Sequence, residues 1–184
     1  ITRIVAQLSR IARRVPPRLQ PTDLGPVVRE VVELIEPSAR RKEVALSLQV
    51  AEALPPVLAD PAQVQQMALN LINNALAATR PRDAVRITIQ PHTMDRAGQP
   101  TDAALLTVED SGAGMSPETL SQIFEPFFTT RSEQGGTGLG LAVVRSLVQE
   151  HGGQIRAESV PNLGSRFEIL LPVAPSEHPK DLAA

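Results

Sequence analysis

DPAQVQQMALNLINNALAAT, residues 60–79, has the most regular hydrophobic pattern in the chain. Asp60 and Pro61 supply an N-cap and a proline at the first helical position, and Gln63 stands where a capping box requires Glu or Gln. Pro81 excludes a continuation much beyond Thr79. The sequence therefore predicts a helix that ends near Thr79 and has one apolar face, made of Val64, Met67, Ala68, Leu71, Ile72, Ala75 and Leu76.

The residues before this helix predict another helix and a strand. Thr22 or Asp23 is expected to cap the helix. Residues 44–50, VALSLQV, alternate in polarity as a half-buried strand does, and Pro55-Pro56 marks a turn. The expected apolar face of the earlier helix consists of Val27, Val28, Val31, Val32, Leu34 and Ile35.

The residues after it predict four strands and one further helix. Strands are expected at 84–89 and 104–109, separated by a polar loop with Gly98 and Pro100. A helix from about Leu139 to His151 ends at Gly152-Gly153, and strands at 154–159 and 166–171 then form a hairpin. The whole pattern predicts an α/β (α+β) fold, a two-layer sandwich of about five mixed strands with three main helices.

Both ends of the chain depart from this pattern. Residues 1–15 carry apolar side chains at helical spacing, and Pro16-Pro17 stops that helix. A single amphipathic helix cannot bury its own apolar face, so we expect it to pair with another helix or to dock on its own domain. The residues after Pro172 are proline-rich and polar, which predicts a loose tail. Because the chain starts at Ile1 and not at methionine, we expect it to be part of a longer protein.

The composition excludes several classes of protein. The 184 residues are 42% apolar and 21% charged with a net charge of −2, which favours a globular domain and argues against a nucleic-acid binder. The chain has no cysteine, so disulfides, thiolate catalysis and cysteine-ligated zinc are excluded. His92, His151 and His178 show no metal-ligand spacing. No apolar run approaches the roughly 18–20 residues of a membrane helix, and no signal peptide opens the sequence.

Two asparagines on the residue 60–79 helix are the first candidates for a functional site. Asn70 and Asn74 are four residues apart and therefore share one helix face, beside the apolar stripe. Asparagine is a poor residue for a helix interior, because its amide competes for backbone hydrogen bonds. The pair indicates oxygen ligands for a hard cation or polar contacts to a ligand. A solvated helix flank is the alternative interpretation.

A short turn at residues 110–115, DSGAGM, follows the strand LLTVED. Gly112 and Gly114 allow a tight turn and a close approach of the backbone to a planar ligand. Asp110, at the strand end, offers a carboxylate that can accept a hydrogen bond from an exocyclic amine. By itself the motif is equally consistent with an ordinary Asp-Gly turn.

The glycine-rich stretch GGTGLGLAVV, residues 135–144, leads into a helix. Free N–H groups and the positive end of the helix dipole make such a start suitable for phosphate. It is not a Walker loop, because no Gly-Lys-Ser/Thr follows. It is not a Rossmann fingerprint either, because FFTTRSEQ before it is not a strand.

The order of these motifs resembles the ATP-binding catalytic domain of bacterial sensor histidine kinases, in the GHKL superfamily with gyrase, MutL and a heat-shock chaperone. NLINNA (70–75) is similar to the family's asparagine box and DSGAGM (110–115) to its first glycine box. FEPFFTTR (124–131) resembles the phenylalanine box, and GTGLGLAVV (136–144) the second glycine box. NLGSRFEILLP (162–172) resembles the closing strand. The resemblance covers roughly residues 21–172 and implies the Bergerat ATP-binding fold.

The resemblance implies a role for individual residues toward ATP and Mg²⁺. Asp110 would bind the adenine amino group, and Asn74, with Asn70, would hold Mg²⁺. Residues 116–137 would form a mobile lid anchored by Phe124, Phe127 and Phe128, from which Arg131 reaches the γ-phosphate. Asn70 and Arg131 are thus the expected catalytic residues. The full cofactor-binding set implied is Asn70, Asn74, Asp110, Gly112, Gly114, Phe124, Thr130, Arg131, Gly136, Thr137, Gly138, Leu139, Gly140 and Ser165.

The activity implied is transfer of the γ-phosphoryl group of ATP to a histidine, in which positioning and charge neutralisation dominate. Hydrolytic relatives carry a glutamate where this chain has Asn70, and an asparagine cannot act as that base. None of the three histidines is followed by an acidic residue on a hairpin helix, as the family's acceptor is. The expected domains are therefore 1–20, the end of a dimerisation helix with its linker, 21–173, the catalytic domain, and 174–184, a flexible tail.

Three alternatives remain open at this point. They are a nucleotide-sensing module without catalysis, a gyrase-type ATPase and an anti-sigma-type serine kinase. The implied partners of the kinase are ATP, the acceptor histidine hairpin and a response regulator, with neither nucleic acid nor direct membrane contact by this segment. The expected location is cytoplasmic, as part of a sensor that is membrane-anchored or free.

Overall fold

The computed structural model describes residues 16–131 and 136–175. The predicted helix over 1–15 and most of the expected tail, with His178, lie outside the described residues, as does the 132–135 part of the expected lid. The described strands are β1 (Gln20–Thr22), β2 (Ala45–Val50), β3 (Val57–Ala59), β4 (Ala84–Arg96), β5 (Gln99–Asp110), β6 (Gln154–Val160) and β7 (Gly164–Pro172). The described helices are α1 (Leu24–Arg41), α2 (Pro61–Ala78), α3 (Pro117–Leu120) and α4 (Gly140–Glu150).

A mixed five-stranded sheet has the order β2-β4-β5-β7-β6. Strands β2 and β4 are parallel, with Ala45 opposite Ala84, and the other neighbouring pairs are antiparallel. Strands β1 and β3 form a separate antiparallel pair, with Gln20 opposite Ala59. The predicted α/β sandwich with a mixed sheet of about five strands is confirmed.

The core lies between one face of this sheet and the helices. All seven residues of the stripe predicted on α2 are buried, from Val64 to Leu76. They pack with alternating residues of the central strands, such as Ile87, Leu106 and Ile169, because successive side chains of a strand point to opposite faces. The burial of this stripe thus orients the adjoining flank of α2, which carries the paired asparagines.

Hydrogen bonds at the start of each long helix follow the sequence in part. Asp60 Oδ1 accepts from the N–H groups of Ala62 (3.0 Å) and Gln63 (3.3 Å), as predicted for a cap. The capping box is not completed, because Gln63 Oε1 is buried without a hydrogen-bond partner. For α1, the cap is Asp23, whose carboxylate accepts from Gly25 N–H, whereas Thr22 belongs to β1.

Two predictions about the chain's course are wrong, and two short strands lack any signal in the sequence. The polar loop expected after residue 89 is a continuation of β4 and β5, which meet at a two-residue turn of Ala97 and Gly98 with φ values of 56° and 82°. His92 therefore lies in a strand. Leu34, predicted on the buried face of α1, is 69% exposed, and the short strands β1 and β3 have no periodicity from which to predict them.

Candidate functional site

The paired asparagines of α2 face the first turn of α4. Asn70 Nδ2 donates to the carbonyl oxygen of Gly140 at 3.4 Å. A Cβ atom placed on Gly140 would lie 4.0 Å from both Asn70 Oδ1 and Asn74 Nδ2. The fold therefore brings together two motifs that are about 65 residues apart in sequence, with little space between the side-chain amides and the helix start.

The backbone N–H groups at the N-terminus of α4 find no side-chain acceptor on the N-cap residue. The residue before it, Leu139, is 1% exposed and makes no side-chain capping hydrogen bond. The first N–H groups of an α-helix have no partner within the helix, and together with the helix dipole they favour an anion. This end of α4 thus offers positive potential next to the amide groups of Asn70 and Asn74.

Asp110 ends β5 as a buried carboxyl that is 4% exposed. Its Oδ1 accepts from Gly112 N–H at 2.9 Å, and the backbone N–H of Ser165 also donates to it. Burial raises the pKa of Asp110 above its ordinary value, although these hydrogen bonds and the charge of Arg131 act in the opposite direction. A carboxyl that is buried but held by donors is suited to accept one further hydrogen bond from a ligand.

The loop after Asp110 is clamped between α2 and the β6–β7 turn. Ala113 N–H donates to the last carbonyl of α2, Ala78 O, at 3.1 Å, and Asn162 N–H donates to Ala113 O at 2.7 Å. Gly114 has φ of 61°, and a Cβ there would lie 1.9 Å from Val160 O. Only glycine combines this backbone angle with this close approach, so the loop geometry depends on residue 114.

The phenylalanine segment is only partly anchored. Phe124 packs against the core, with the Arg145 guanidinium 5.9 Å from its ring centre, and Phe128 is half-buried. Phe127 is 61% exposed, has φ of 68°, and donates its N–H to Gly138 O at 2.9 Å. The prediction that Phe127 anchors the lid on apolar surface is wrong, because a backbone bond rather than the ring ties residue 127 to the glycine turn.

Arg131 is the last described residue of the lid before residue 136. Arg131 is half-buried, and burial lowers its pKa while the charge of Asp110 partly restores it. Its carbonyl accepts from Gly136 N–H at 2.9 Å. Thr130 and Gly136 are exposed, and Thr137 is half-buried. The charge of Arg131 thus acts on the carboxylate of Asp110. The contact of Arg131 with a γ-phosphate stays a prediction.

Several contacts near Asp110 have no signal in the sequence. Ser111 Oγ accepts from Ala84 N–H at 2.9 Å, 27 residues away, and so joins the loop to the start of β4. The charge of Asp83 contributes to the raised pKa of Asp110. Ser165, which the motif order did indicate, lies opposite Asp110 in the sheet and 3.0 Å from Ser159 Oγ. These links depend on strand register, which a motif does not contain.

The part of the chain that the structure describes lacks two features, a cluster of metal-binding side chains and a membrane-spanning helix. Within residues 16–131 and 136–175, no group of three or more His, Asp or Glu side chains is arranged to hold a metal ion. None of the helices described there is both long and apolar enough to cross a membrane.

Comparisons with known proteins show which family the chain resembles. The sequence profile described as histidine kinase-, DNA gyrase B- and HSP90-like ATPase matches residues 59–175. The sensor histidine kinase ZraS of Salmonella typhi is 34% identical over 173 residues, 94% of this chain and 35% of that protein. The histidine-protein kinase AtoS of Escherichia coli strain K12 is 30% identical over 175 residues, 95% of this chain and 27% of that protein. The chain thus spans about a third of the length of these curated relatives.

Solved structures agree with the sequence comparisons. The catalytic domain of histidine kinase ThkA superposes with a TM-score of 0.70 at 30% identity, covering 85% of this chain and 96% of that one. Full-length ShkA, crystallised in complex with AMPPNP, gives a TM-score of 0.75 at 29% identity, covering 96% of this chain and 36% of that one.

Proposed function

The chain belongs to the family of histidine kinase-, DNA gyrase B- and HSP90-like ATPases, and from this premise we propose that it binds ATP as the catalytic domain of a sensor histidine kinase. In the longer protein it would transfer the γ-phosphoryl group to a histidine on a dimerisation hairpin. The observation that carries the proposal is the meeting of the α2 asparagines with the N-terminus of α4, in the same fold that buries Asp110 at the end of β5.

The adenine end of the nucleotide would lie against Asp110. The carboxylate already accepts from Gly112 and Ser165, and an exocyclic amino group would be its third donor. Gly112, Gly114 and Ser165 would line the same pocket, because the clamped loop and the β7 start hold them around the carboxyl. A charge-assisted hydrogen bond in a buried place distinguishes adenine from bases that present a carbonyl there.

The phosphates would lie at the start of α4. Backbone N–H groups of the glycine turn and the helix dipole would neutralise their charge without reorganisation. The residues there are Gly136, Thr137, Gly138, Leu139 and Gly140, while Phe124 and Thr130 would contribute from the lid.

Asn70 and Asn74 fit a magnesium ion by the chemistry of their donors. Amide oxygens are hard ligands, and Asn70 uses its Nδ2 toward Gly140, which leaves its Oδ1 free of that bond. When bound, the ion would neutralise charge on the phosphate oxygens. No carboxylate cluster competes with the asparagines in the described residues, so these two side chains would hold the ion together with the phosphates.

Phosphoryl transfer is favoured over hydrolysis by the residue at position 70. An asparagine cannot take a proton from water, so Asn70 would position groups rather than act as a base. Arg131 would supply positive charge at the γ-phosphate. In the structure the charge of Arg131 also acts on Asp110, which would lie at the adenine end of the same nucleotide.

The acceptor histidine would come from outside residues 16–131 and 136–175. His92 is exposed on β4, and His151 is buried at the end of α4. We assign residues 1–20 to the end of a dimerisation helix and its linker, 21–173 to the catalytic domain and 174–184 to a tail. Within a cytoplasmic segment of the longer protein, the partners would be the acceptor hairpin and a response regulator. This chain alone is expected to show no autophosphorylation.

The test is calorimetric titration with a non-hydrolysable ATP analogue, with and without Mg²⁺. Asp110→Ala should weaken binding about 10- to 100-fold, since a hydrogen bond to a charged group contributes about 1.5–3 kcal/mol. Asp102→Ala is the matched control, because it removes the same charge at an exposed position of β5. Equal affinities of the two variants, or no binding to the wild type at millimolar analogue, would contradict the proposal. ATP turnover that falls when Asn70 is replaced would favour the ATPase instead.

A further inference from the structure

Asp60 is shared between the linker and helix α2. Its Oδ2 accepts from the backbone N–H of Arg18 at 2.9 Å, while its Oδ1 caps α2 through Ala62 and Gln63. Burial tends to raise the pKa of Asp60, but the hydrogen bonds from these backbone N–H groups outweigh it and leave the pKa below its ordinary value. One carboxylate thus fixes the linker, residues 16–19, to the first turn of the helix that carries Asn70.

His151 holds the same residue from the end of helix α4. Its ring is 3% exposed, and Nε2 accepts from Asp60 N–H at 3.1 Å. Nδ1 lies 2.8 Å from Leu147 O, which can only accept, so the proton is on Nδ1 and the ring is neutral. His151 therefore supplies the acceptor that Gln63 would provide in a capping box, and this explains why the side-chain oxygen of Gln63 is not used there.

Helices α2 and α4 touch at both ends of α4. Its first residue, Gly140, contacts Asn70, and the residue after its last turn, His151, contacts Asp60. The two helices therefore run antiparallel, and a tilt of α4 at its end moves the glycine turn at its start. The linker is held next to these helices by two contacts. Arg18 donates to Asp60, and β1, which follows the linker, pairs with β3, whose last residue precedes Asp60.

We propose that Asp60 and His151 form a junction that couples the position of the linker to the placement of α4 against α2. His151 is then a positioning residue, which acts on the nucleotide site through α4 and on the linker through Asp60. By linkage, nucleotide binding and docking of the linker must affect each other by the same factor. The part of this inference that concerns nucleotide rests on the proposed function.

Two variants of His151 separate the junction from simple packing. His151→Gln keeps an oxygen acceptor close to the position of Nε2, whereas His151→Leu fills a similar volume without any acceptor. Both lose the bond to Leu147 O, so their difference reports the bond to Asp60. Arg18→Pro removes the linker's N–H donor and leaves Asp60 and His151 unchanged.

The experiment is NMR amide exchange at Arg18 and Asp60, together with calorimetric affinity for the ATP analogue. His151→Leu should raise exchange at both amides about tenfold or more, and His151→Gln should restore most of the protection. Both His151→Leu and Arg18→Pro should change the analogue affinity in the same direction, by about fivefold or more.

Each outcome decides a separate point. Unchanged Arg18 exchange in His151→Leu would overturn the junction, whether or not nucleotide binds. Raised exchange with an unchanged analogue affinity would overturn the coupling. No analogue binding by the wild type would instead refute the proposed function, and the exchange data would still decide the junction.

Discussion

Replacing Gly114 by alanine should destabilise the chain through two separable effects. Gly114 has φ of 61°, a left-handed angle that alanine adopts at a cost of about 1–2 kcal/mol. A Cβ there would also lie 1.9 Å from Val160 O and 2.7 Å from Val160 C, both backbone atoms of the β6–β7 turn. Backbone cannot rotate away as a flexible side chain can, so the loop or the turn must move.

Gly98→Ala isolates the first effect. Gly98 has φ of 82° in the β4–β5 turn, and a Cβ there would have no atom within 4 Å. The loss of stability in Gly98→Ala therefore comes from the backbone angle alone and is about 1–2 kcal/mol. Overpacking adds about 1–3 kcal/mol, which brings Gly114→Ala to about 2–5 kcal/mol. The difference between the two variants measures the close approach of the glycine loop to the β6–β7 turn.

Thermal unfolding followed by circular dichroism is the assay. For a chain of this size, about 1 kcal/mol lowers Tm by about 2–4 °C, so Gly98→Ala should lose about 2–8 °C and Gly114→Ala clearly more. Only Gly114→Ala should also weaken binding of the ATP analogue, because it displaces the loop after Asp110. Equal losses of Tm with equal analogue affinity would refute the contact between Gly114 and Val160.

Three further outcomes follow from the same structure. Burial raises the pKa of Asp110, so its contribution to stability is present below the unfolded-state pKa and is lost as pH rises through the folded-state pKa. The Tm of the wild type relative to Asp110→Ala should therefore fall as the pH rises above 3.8, the ordinary pKa of an aspartate, and a constant difference would contradict this. Asn74→Ala should abolish the Mg²⁺-dependent part of analogue binding in calorimetry and leave Tm within about 2 °C. Leu71→Ala, at a fully buried position, should cost about 2–5 kcal/mol in urea unfolding, whereas Leu34→Ala, at a 69% exposed one, should cost less than about 0.5 kcal/mol.

Elements with a strong period were predictable and are confirmed. The stripe of α2 appears in the sequence because an apolar face must repeat every three to four residues, and all of its members are buried. The same argument failed at Leu34, since hydropathy alone does not show which flank of α1 meets the sheet. Strand β4 was predicted too short, because its outer half alternates less and is mostly exposed.

The candidate site was predictable as a set of motifs but not as a geometry. Each motif has a local reason, such as a cap, a tight turn or a helix start, and the order of the motifs resembles the family whose profile the chain matches. The wrong prediction for Phe127 shows why the geometry could not be predicted. An aromatic residue in an apolar segment predicts burial, whereas a backbone bond to Gly138 leaves this ring 61% exposed.

Three properties could be read from the amino-acid sequence: the elements with a regular hydrophobic period, the residue types of the candidate site, and the family resemblance. Those properties are local, because side-chain spacing, caps and turn residues act within a few positions of the chain. Three contacts of the fold have no signal in the sequence: Asn70 meets Gly140, Ser165 lies opposite Asp110, and His151 completes the cap at Asp60. These contacts join residues 55 to 91 positions apart. They are set by strand register and helix packing, in which the whole core selects one arrangement.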